Sequence, residues 1–361
     1  MKKLILSCLI LLSSFGVMFA QADLQPLVVI KLNKNESITV KQLKNRVATY
    51  EKQMGRSLNA DDRKKILDTL IDEKLMLQAA TKAGISIPDS AVDQYFAQWM
   101  SQQVGQNLSE KEIADLIKKT QGVSMDQFLV QQVGMNVAEY KIYLKNQLII
   151  QQFVIQQKQQ EVQKIAATDE EIRMYYEGNK ASFVMSDTMK IFLCIIPKAS
   201  NADAAKNKAN ELRNKYVDKK ITAEQLTVQS QAENSGYQAG ETLIPKTEVG
   251  AQAFGFSYQG LLTLFGRDEG FISDVQETTT DYRFVSILKK YDAKMLGLSD
   301  SVQPEATITV YQYINQNLSY QKQMAYLQKA AQDLADSFDS PENVEWKKSG
   351  DDLTKLLSWS N

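Results

Sequence analysis

The residues able to do chemistry in this chain are few, and what is missing narrows the field first. None of the 361 residues is histidine. That removes Ser-His-Asp and Cys-His nucleophilic catalysis, histidine-ligated zinc and the usual proton shuttle near neutral pH. The cysteines are Cys8, in an N-terminal apolar run, and Cys194, in the stretch MKIFLCIIP from Met189 to Pro197. If the N-terminal run is removed, Cys194 stands alone, and neither an internal disulfide, a CxxC redox pair nor a cysteine-rich metal site can form. There is no GxxxxGK[ST] phosphate loop, so neither ATP hydrolysis, a cofactor nor a metal is expected. Cys194 alternates with Leu193 and Ile195 along a strand-like run, which points its thiol away from them. A free cysteine so placed behaves as a small hydrophobe. The other notable set is apolar: Tyr95, Phe96, Trp99 and Met100 at helical spacing, with Tyr140 and Tyr143 further on. Aromatic and methionine surfaces bind varied apolar peptides with little specificity, so these six are candidates for lining a peptide groove. Ordinary helix-core packing is the competing reading for each.

These residues need elements to hold them. The first 22 residues read as a signal peptide, with Lys2 and Lys3, an apolar run from Leu4 to Phe19, and Ala20-Gln21-Ala22 as a small-x-small cleavage site. The apolar run is short for a membrane-spanning helix, although an uncleaved anchor is the alternative. Net charge is −1, and a chain so balanced has no basic excess with which to hold nucleic acid. Leu27 to Leu32 is a short β-rich run. Helical patterns follow: Leu43, Val47, Tyr50 and Met54 on one face with a stop at Gly55, then a helix capped by Asn59 with Ile66, Leu70, Leu77 and Ala80 as its stripe. Pro88-Asp89 opens the helix of Tyr95 to Met100. Ser109 with Glu112 and Thr168 with Glu171 are capping boxes. Asn136 caps a long helix through Tyr140 and Tyr143 to about Val162, whose dense glutamines suit a solvated face.

Met189 to Pro197 then changes the pattern to a strand closed by Pro197. Helices over Ala202 to Tyr216 and Thr222 to Gln231 follow, and the glycine-punctuated segment from Glu233 to Gly260 reads as loop with short strands. Leu261 to Phe265 is a brief helical turn, Gly270 to Ser273 leads into a strand, and Tyr282 to Leu288 is a closing strand. One strand, two helices and two closing strands describe a small α/β domain. Beyond Pro304, a long amphipathic helix from Thr309 to Phe338 needs a groove to pack in. Pro341 ends it, and Val344-Glu345-Trp346 is a strand-sized remnant placed to pair with Leu27 to Leu32. The predicted divisions are a signal peptide (1–22), a helical module (23–186), an α+β domain (187–293) and a C-terminal segment (294–361) whose long helix packs back on the module.

VVIKLNKNESITVKQL near residue 28, ILDTLIDEKLMLQAATKAGISIPDSAV from Ile66, TDEEIRMYYEGNKASF from Thr168 and GFISDV from Gly270 together resemble the SurA and PrsA type of exported foldase. The resemblance implies a multidomain α and α+β fold: a helical chaperone module completed by a C-terminal helix, and a parvulin-like (FKBP-like) domain. Active parvulins usually carry a histidine in the first strand, in a run like His-Ile-Leu-Ile-Pro; Leu193 holds that position here, in Leu193-Cys194-Ile195-Ile196-Pro197. They also carry Gly-Tyr-His or Gly-Phe-His in the last strand, where this chain has Asp281-Tyr282-Arg283. The family's activity therefore comes into question while its framework is kept. What the resemblance implies is a periplasmic or otherwise exported ATP-independent chaperone for unfolded or nascent envelope and outer-membrane proteins, with no catalytic residue at Leu193 or Arg283. A peptidyl-prolyl cis-trans isomerase with an atypical site, and a structural subunit of envelope assembly, are the other readings.

Overall fold

A computed structural model describes residues 23–105, 108–198 and 201–359. The stretch read as a signal peptide, with Cys8 and the cleavage point near Ala22, lies outside the described residues. The chain combines helices with small antiparallel sheets and divides into two compact units. One holds the chain up to Ile165 together with the part from Lys322 onward, and the other is Ala166–Gln321. Among the described residues no helix is long and apolar enough to cross a membrane.

The first unit starts with strands β1 (Pro26–Ile30) and β2 (Glu36–Thr39), paired antiparallel. Helices α1 (Val40–Met54), α2 (Ala60–Lys82), α3 (Asp89–Val104), α4 (Glu110–Gln121), α5 (Met125–Val133) and α6 (Val137–Val162) follow. Their starts are written in the sequence. Thr39, Ser109, Ser124 and Asn136 each accept a bond from the backbone N–H three residues on, while the Gln or Glu there bonds back, and Asn59 caps α2. The α1 stripe buries Leu43 and Val47, with Tyr50 packed against the same core. Met54, expected on that face, is exposed instead, because α1 has reached its final turn and Gly55 in the left-handed region ends it there. A second core, around Phe96, Met100, Ile113 and Leu129, joins α3 to α6.

The second unit begins with α7 (Asp169–Gly178), capped by Thr168 and Glu171, and the short strand β3 (Val184–Met185). Next come β4 (Thr188–Pro197), α8 (Ala202–Val217), α9 (Ala223–Ser230), β5 (Gln238–Pro245), α10 (Glu248–Ala253), α11 (Tyr258–Phe265), β6 (Gln276–Glu277), β7 (Asp281–Tyr291) and β8 (Lys294–Met295). The main sheet runs β5-β4-β7-β6, antiparallel throughout. The alternation of β4 divides the packing: Phe192, Cys194 and Ile196 meet α8 on one face, and Ile191 and Leu193 meet α10 and α11 on the other. Two expectations need correcting. The stretch 233–260 contains a full strand, β5, paired with β4 from Ile195↔Gln238 to Thr188↔Pro245, and the helix α10. Residues 270–273 make only an isolated bridge, Ile272↔Ser286, and the strand that follows is two residues long. The sequence QAGETLIP has no apolar alternation because β5 is an edge strand held through its backbone ladder.

Helix α12 (Val310–Phe338) opens at Thr309, whose hydroxyl accepts from the Gln312 N–H at 3.2 Å. Its last turns pack Ala330, Ala335 and Phe338 with Met76 of α2 and Phe153 of α6. The strand β9 (Val344–Trp346) pairs with β1 through Val28↔Trp346 and Ile30↔Val344, making a three-stranded sheet ordered β2-β1-β9. Helix α13 (Gly350–Leu357) then buries Leu353 and Leu357 in the first core.

Candidate functional site

Helices α1, α2, α5 and α6, with Ile38 of β2, line an open groove of about 760 Å³. Leu70 and Leu77 of α2, Val130 of α5, and Ile142 and Tyr143 of α6 give it apolar surface. Ile142 is 62% exposed and Val130 43%, so this part of the apolar lining faces solvent, while Leu70 and Ile38 are buried. A charged pair crosses it: Arg46 Nη1 and Nη2 donate to Glu73 Oε1 and Oε2 at 2.8 and 2.9 Å. The fork geometry makes this a strong pair, and it fastens α1 to α2. Burial weakens the Arg46 charge, but the paired bonds to Glu73 outweigh it, and the guanidinium is held above its ordinary pKa. Its carbon stands 5.9 Å from the Tyr143 ring centre. Burial, then the nearby Glu73 charge, pushes the Tyr143 phenol up. Lys52 donates to the Val130 carbonyl, tying α1 to α5. The groove therefore offers apolar surface with an internally satisfied ion pair. It can cover apolar side chains.

The six residues singled out from the sequence do not share one open face. Phe96 and Met100 are fully buried and Tyr140 nearly so, in the core between α3 and α6; their burial serves packing. The rings form a connected series, Trp99–Tyr140 at 5.0 Å and Tyr140–Tyr143 at 6.0 Å, which ends at the groove. Tyr143 is the one of the six that lines it, Trp99 is half-buried, and Tyr95 is exposed. Arg46, Glu73, Val130 and Ile142 were not singled out. Arg46 and Glu73 lie 27 residues apart and leave no local signal. Ile142, an apolar residue beside the Tyr140-Leu144 stripe rather than on it, was the one clue available.

The sheet domain places Leu193 opposite Val285 and Ile195 opposite Arg283. Leu193 and Arg283 are thus diagonal neighbours on adjacent strands, a separation of about 7–8 Å between backbones. Leu193 is buried among Met189, Ile191, Val285 and Leu264. Arg283 is also buried and is held by its own strand: Nε donates to Asp281 Oδ1 and Nη2 to Asp281 Oδ2, each at 2.7 Å. Nη1 donates to the Phe254 carbonyl at 2.8 Å. The guanidinium holds the Asp281 carboxyl below its ordinary pKa. Cys194 lies on the other face, fully buried, and burial pushes its thiol up to about 12. At neutral pH it is not a thiolate and has no path to a ligand. The arrangement packs apolar groups beside a charged clamp. A guanidinium donates but neither accepts nor exchanges a proton near neutrality, so Arg283 cannot act as an imidazole.

A helical unit with an apolar groove, carried in one chain with an α+β sheet domain, is the architecture that the structure shows. Residues 1–154 match the family of the SurA-like N-terminal domain. Chaperone SurA of Chromohalobacter salexigens is 25% identical over 216 residues, covering 57% of this chain and 44% of that protein. Foldase protein PrsA of Clostridium acetobutylicum is 26% identical over 213 residues, covering 57% of this chain and 56% of that protein. The alignments thus span about half the length of these relatives. Among solved structures, PrsA from Bacillus subtilis aligns over 94% of this chain and all of its own at 18% identity and a TM-score of 0.31. One of two SurA-like chaperones of Campylobacter jejuni aligns over 90% of this chain and 99% of its own at 16% identity and a TM-score of 0.27. The chain is thus similar, chiefly over its N-terminal part, to proteins of the SurA and PrsA type.

Proposed function

We propose that this protein is an exported, ATP-independent chaperone that holds unfolded envelope proteins in the groove of α1, α2, α5 and α6, and that its sheet domain is a parvulin-like scaffold without isomerase activity. The observation that carries the reading is the solvent-facing apolar lining of the groove, with Ile142 62% and Val130 43% exposed. Water contact at such surface is unfavourable, and covering it with a client's apolar side chains returns roughly 25 cal/mol per Å². Tyr143 is the member of the aromatic set placed to touch a client there, with Tyr95 and Trp99 as outlying contacts. Export through a leader cleaved near Ala22, and envelope or outer-membrane clients, rest on the resemblance to SurA and PrsA. So does the division into a module over 23–186, a parvulin-like domain over 187–293 and a C-terminal segment from 294 that completes the module.

The sheet domain is read as inactive on chemical grounds. Rotation about a prolyl amide must be eased by a shaped pocket with oriented hydrogen-bonding groups. Leu193 offers none, and Arg283 spends its fork on Asp281 and its Nη1 on the Phe254 carbonyl.

Two measurements test the two halves separately. The chain from residue 23 should suppress light scattering of an aggregating client at near-stoichiometric ratio without nucleotide; complete inertness would favour a structural envelope subunit. A protease-coupled proline tetrapeptide assay should show no acceleration. Robust cis-to-trans acceleration would overturn the scaffold reading and leave an isomerase with an atypical site.

A further inference from the structure

The groove of α1, α2, α5 and α6 carries polar groups of two kinds. Its charged side chains are already engaged. Arg46 and Glu73 hold each other, Lys74 Nζ donates to Glu36 Oε1 at 2.6 Å, Lys52 donates to the Val130 carbonyl, and Glu139 accepts from the Asn136 N–H at 3.0 Å. The neutral amides are not engaged. Asn45 of α1, exposed, and Asn146 of α6, half-buried, both line the groove. The Thr49 hydroxyl bonds the main-chain carbonyl of Asn45 at 3.1 Å, and neither asparagine side chain has a hydrogen-bond partner among the described residues. Gln42, three residues before Asn45, spends Oε1 on the Thr39 N–H at 3.0 Å and keeps its Nε2 spare beside them. Asn146 follows Ile142 by four residues, so amide and apolar side chain share one face of α6.

Apolar lining alone suits a folded helix better than an open chain. A helix arrives with its backbone bonds made, whereas an extended segment brings unpaired N–H and C=O groups, and covering those with Ile142 and Val130 is costly unless they find partners. A side-chain amide removes that cost, because its NH2 donates to a backbone carbonyl while its oxygen accepts from a backbone N–H. We propose that Asn45 and Asn146 are main-chain readers: from two different helices they pair with the backbone of an extended client segment, while Ile142, Val130 and Tyr143 take its apolar side chains. The groove thereby selects extended over helical segments and tolerates varied sequence, since every segment has the same main chain. This rests on the reading of the groove as the client site and adds which part of the client is recognised.

The test uses the chain from residue 23 and fluorescence anisotropy with labelled probes. They are a short peptide of alternating leucine and threonine with lysine ends, its ester analogue in which the central backbone N–H groups are replaced by oxygen, and a hydrocarbon-stapled helix of the same leucine content. The parent should bind the ester about fivefold more weakly than the amide peptide for each hydrogen bond lost, and the helix more weakly than the amide peptide. Alanine is the strongest helix former, so Asn45→Ala and Asn146→Ala should fold with the parent's melting temperature. Each should weaken the amide peptide about fivefold, and the double variant should bind amide and ester alike while the helix keeps its parental affinity. A purely structural role would instead weaken all the probes together. An ester within twofold of the amide in the parent, a helix bound more tightly than the amide peptide, or an ester penalty undiminished in the double variant would overturn the proposal, and the first two comparisons need no variant. Ile142→Asp separates the inference from the reading beneath it. If that variant loses the amide peptide while the parent shows no ester penalty, the main-chain readers are refuted and the groove stands; if it binds the amide peptide as the parent does, the groove fails and this inference with it.

Discussion

Replacing Ile142 by aspartate separates the groove's proposed role in binding from its role in folding. Ile142 is 62% exposed, so little packing is lost and folding stability should change by no more than about 0.5 kcal/mol, apart from a small helix-propensity cost. Fully burying an isoleucine is worth roughly 1.5–3 kcal/mol, and the part still exposed makes about 1–2 kcal/mol available when a client covers it. Aspartate forfeits that and brings a carboxylate that a client would have to desolvate. At about 1.4 kcal/mol per tenfold in affinity, Kd should rise roughly 10- to 30-fold. Ile142→Ala keeps a strong helix former and adds no charge, so it should weaken binding only about fivefold. The assay is fluorescence anisotropy with a labelled, reduced and alkylated client that cannot refold. Gln156→Asp, on the same helix, exposed and away from the groove, is the control. A Kd for Ile142→Asp within twofold of both parent and control would refute the groove as the client site.

Cys194 should resist alkylation in the folded chain at pH 8 and react promptly in denaturant. Its thiol pKa is raised from 9.0 to about 12 by burial, so its contribution to stability is complete below pH 9 and is lost as pH climbs toward 12, where the folded thiol also ionises. Cys194→Ala should abolish that part of the alkaline loss in denaturant titrations, and an unchanged pH profile would contradict the assignment. Leu357→Ala should cost about 2–5 kcal/mol by opening a cavity in the first core, where Leu357 is buried among Leu58, Ile66 and Leu67. Differential scanning calorimetry should show the first unit's transition lowered by roughly 5–15 °C, and a shift under 2 °C would mean that α13 is not part of that core.

Helix starts were legible because their causes are local. Asn59, Ser109, Asn136 and Thr168 each bond a backbone N–H three residues away, and such bonds form whatever the rest of the chain does. Strand β4 was legible for the same kind of reason, its alternation being complete within ten residues. Strand β5 was not. Its residues are mostly half-exposed, and what makes them a strand is the ladder with β4, more than forty residues upstream. Phe96 and Met100 show the converse: an aromatic and methionine stripe at helical spacing marks an apolar face but does not say whether solvent or another helix covers it. Here α4, α5 and α6 cover it.

Sequence alone settled the chemistry that is excluded, since a chain without histidine has no imidazole in any fold. It also drew attention to Leu193 and Arg283 through the resemblance, and foresaw the paired ends of the first unit's small sheet. The tertiary structure decided where an apolar surface stays open and what Arg283 holds. Both depend on groups far apart along the chain: Arg46 and Glu73 at the groove, Arg283 and the Phe254 carbonyl at the loop. Periodicity and capping report on neighbours within about four residues. Which distant faces meet, and which remain uncovered, is a property of packing that no local pattern encodes.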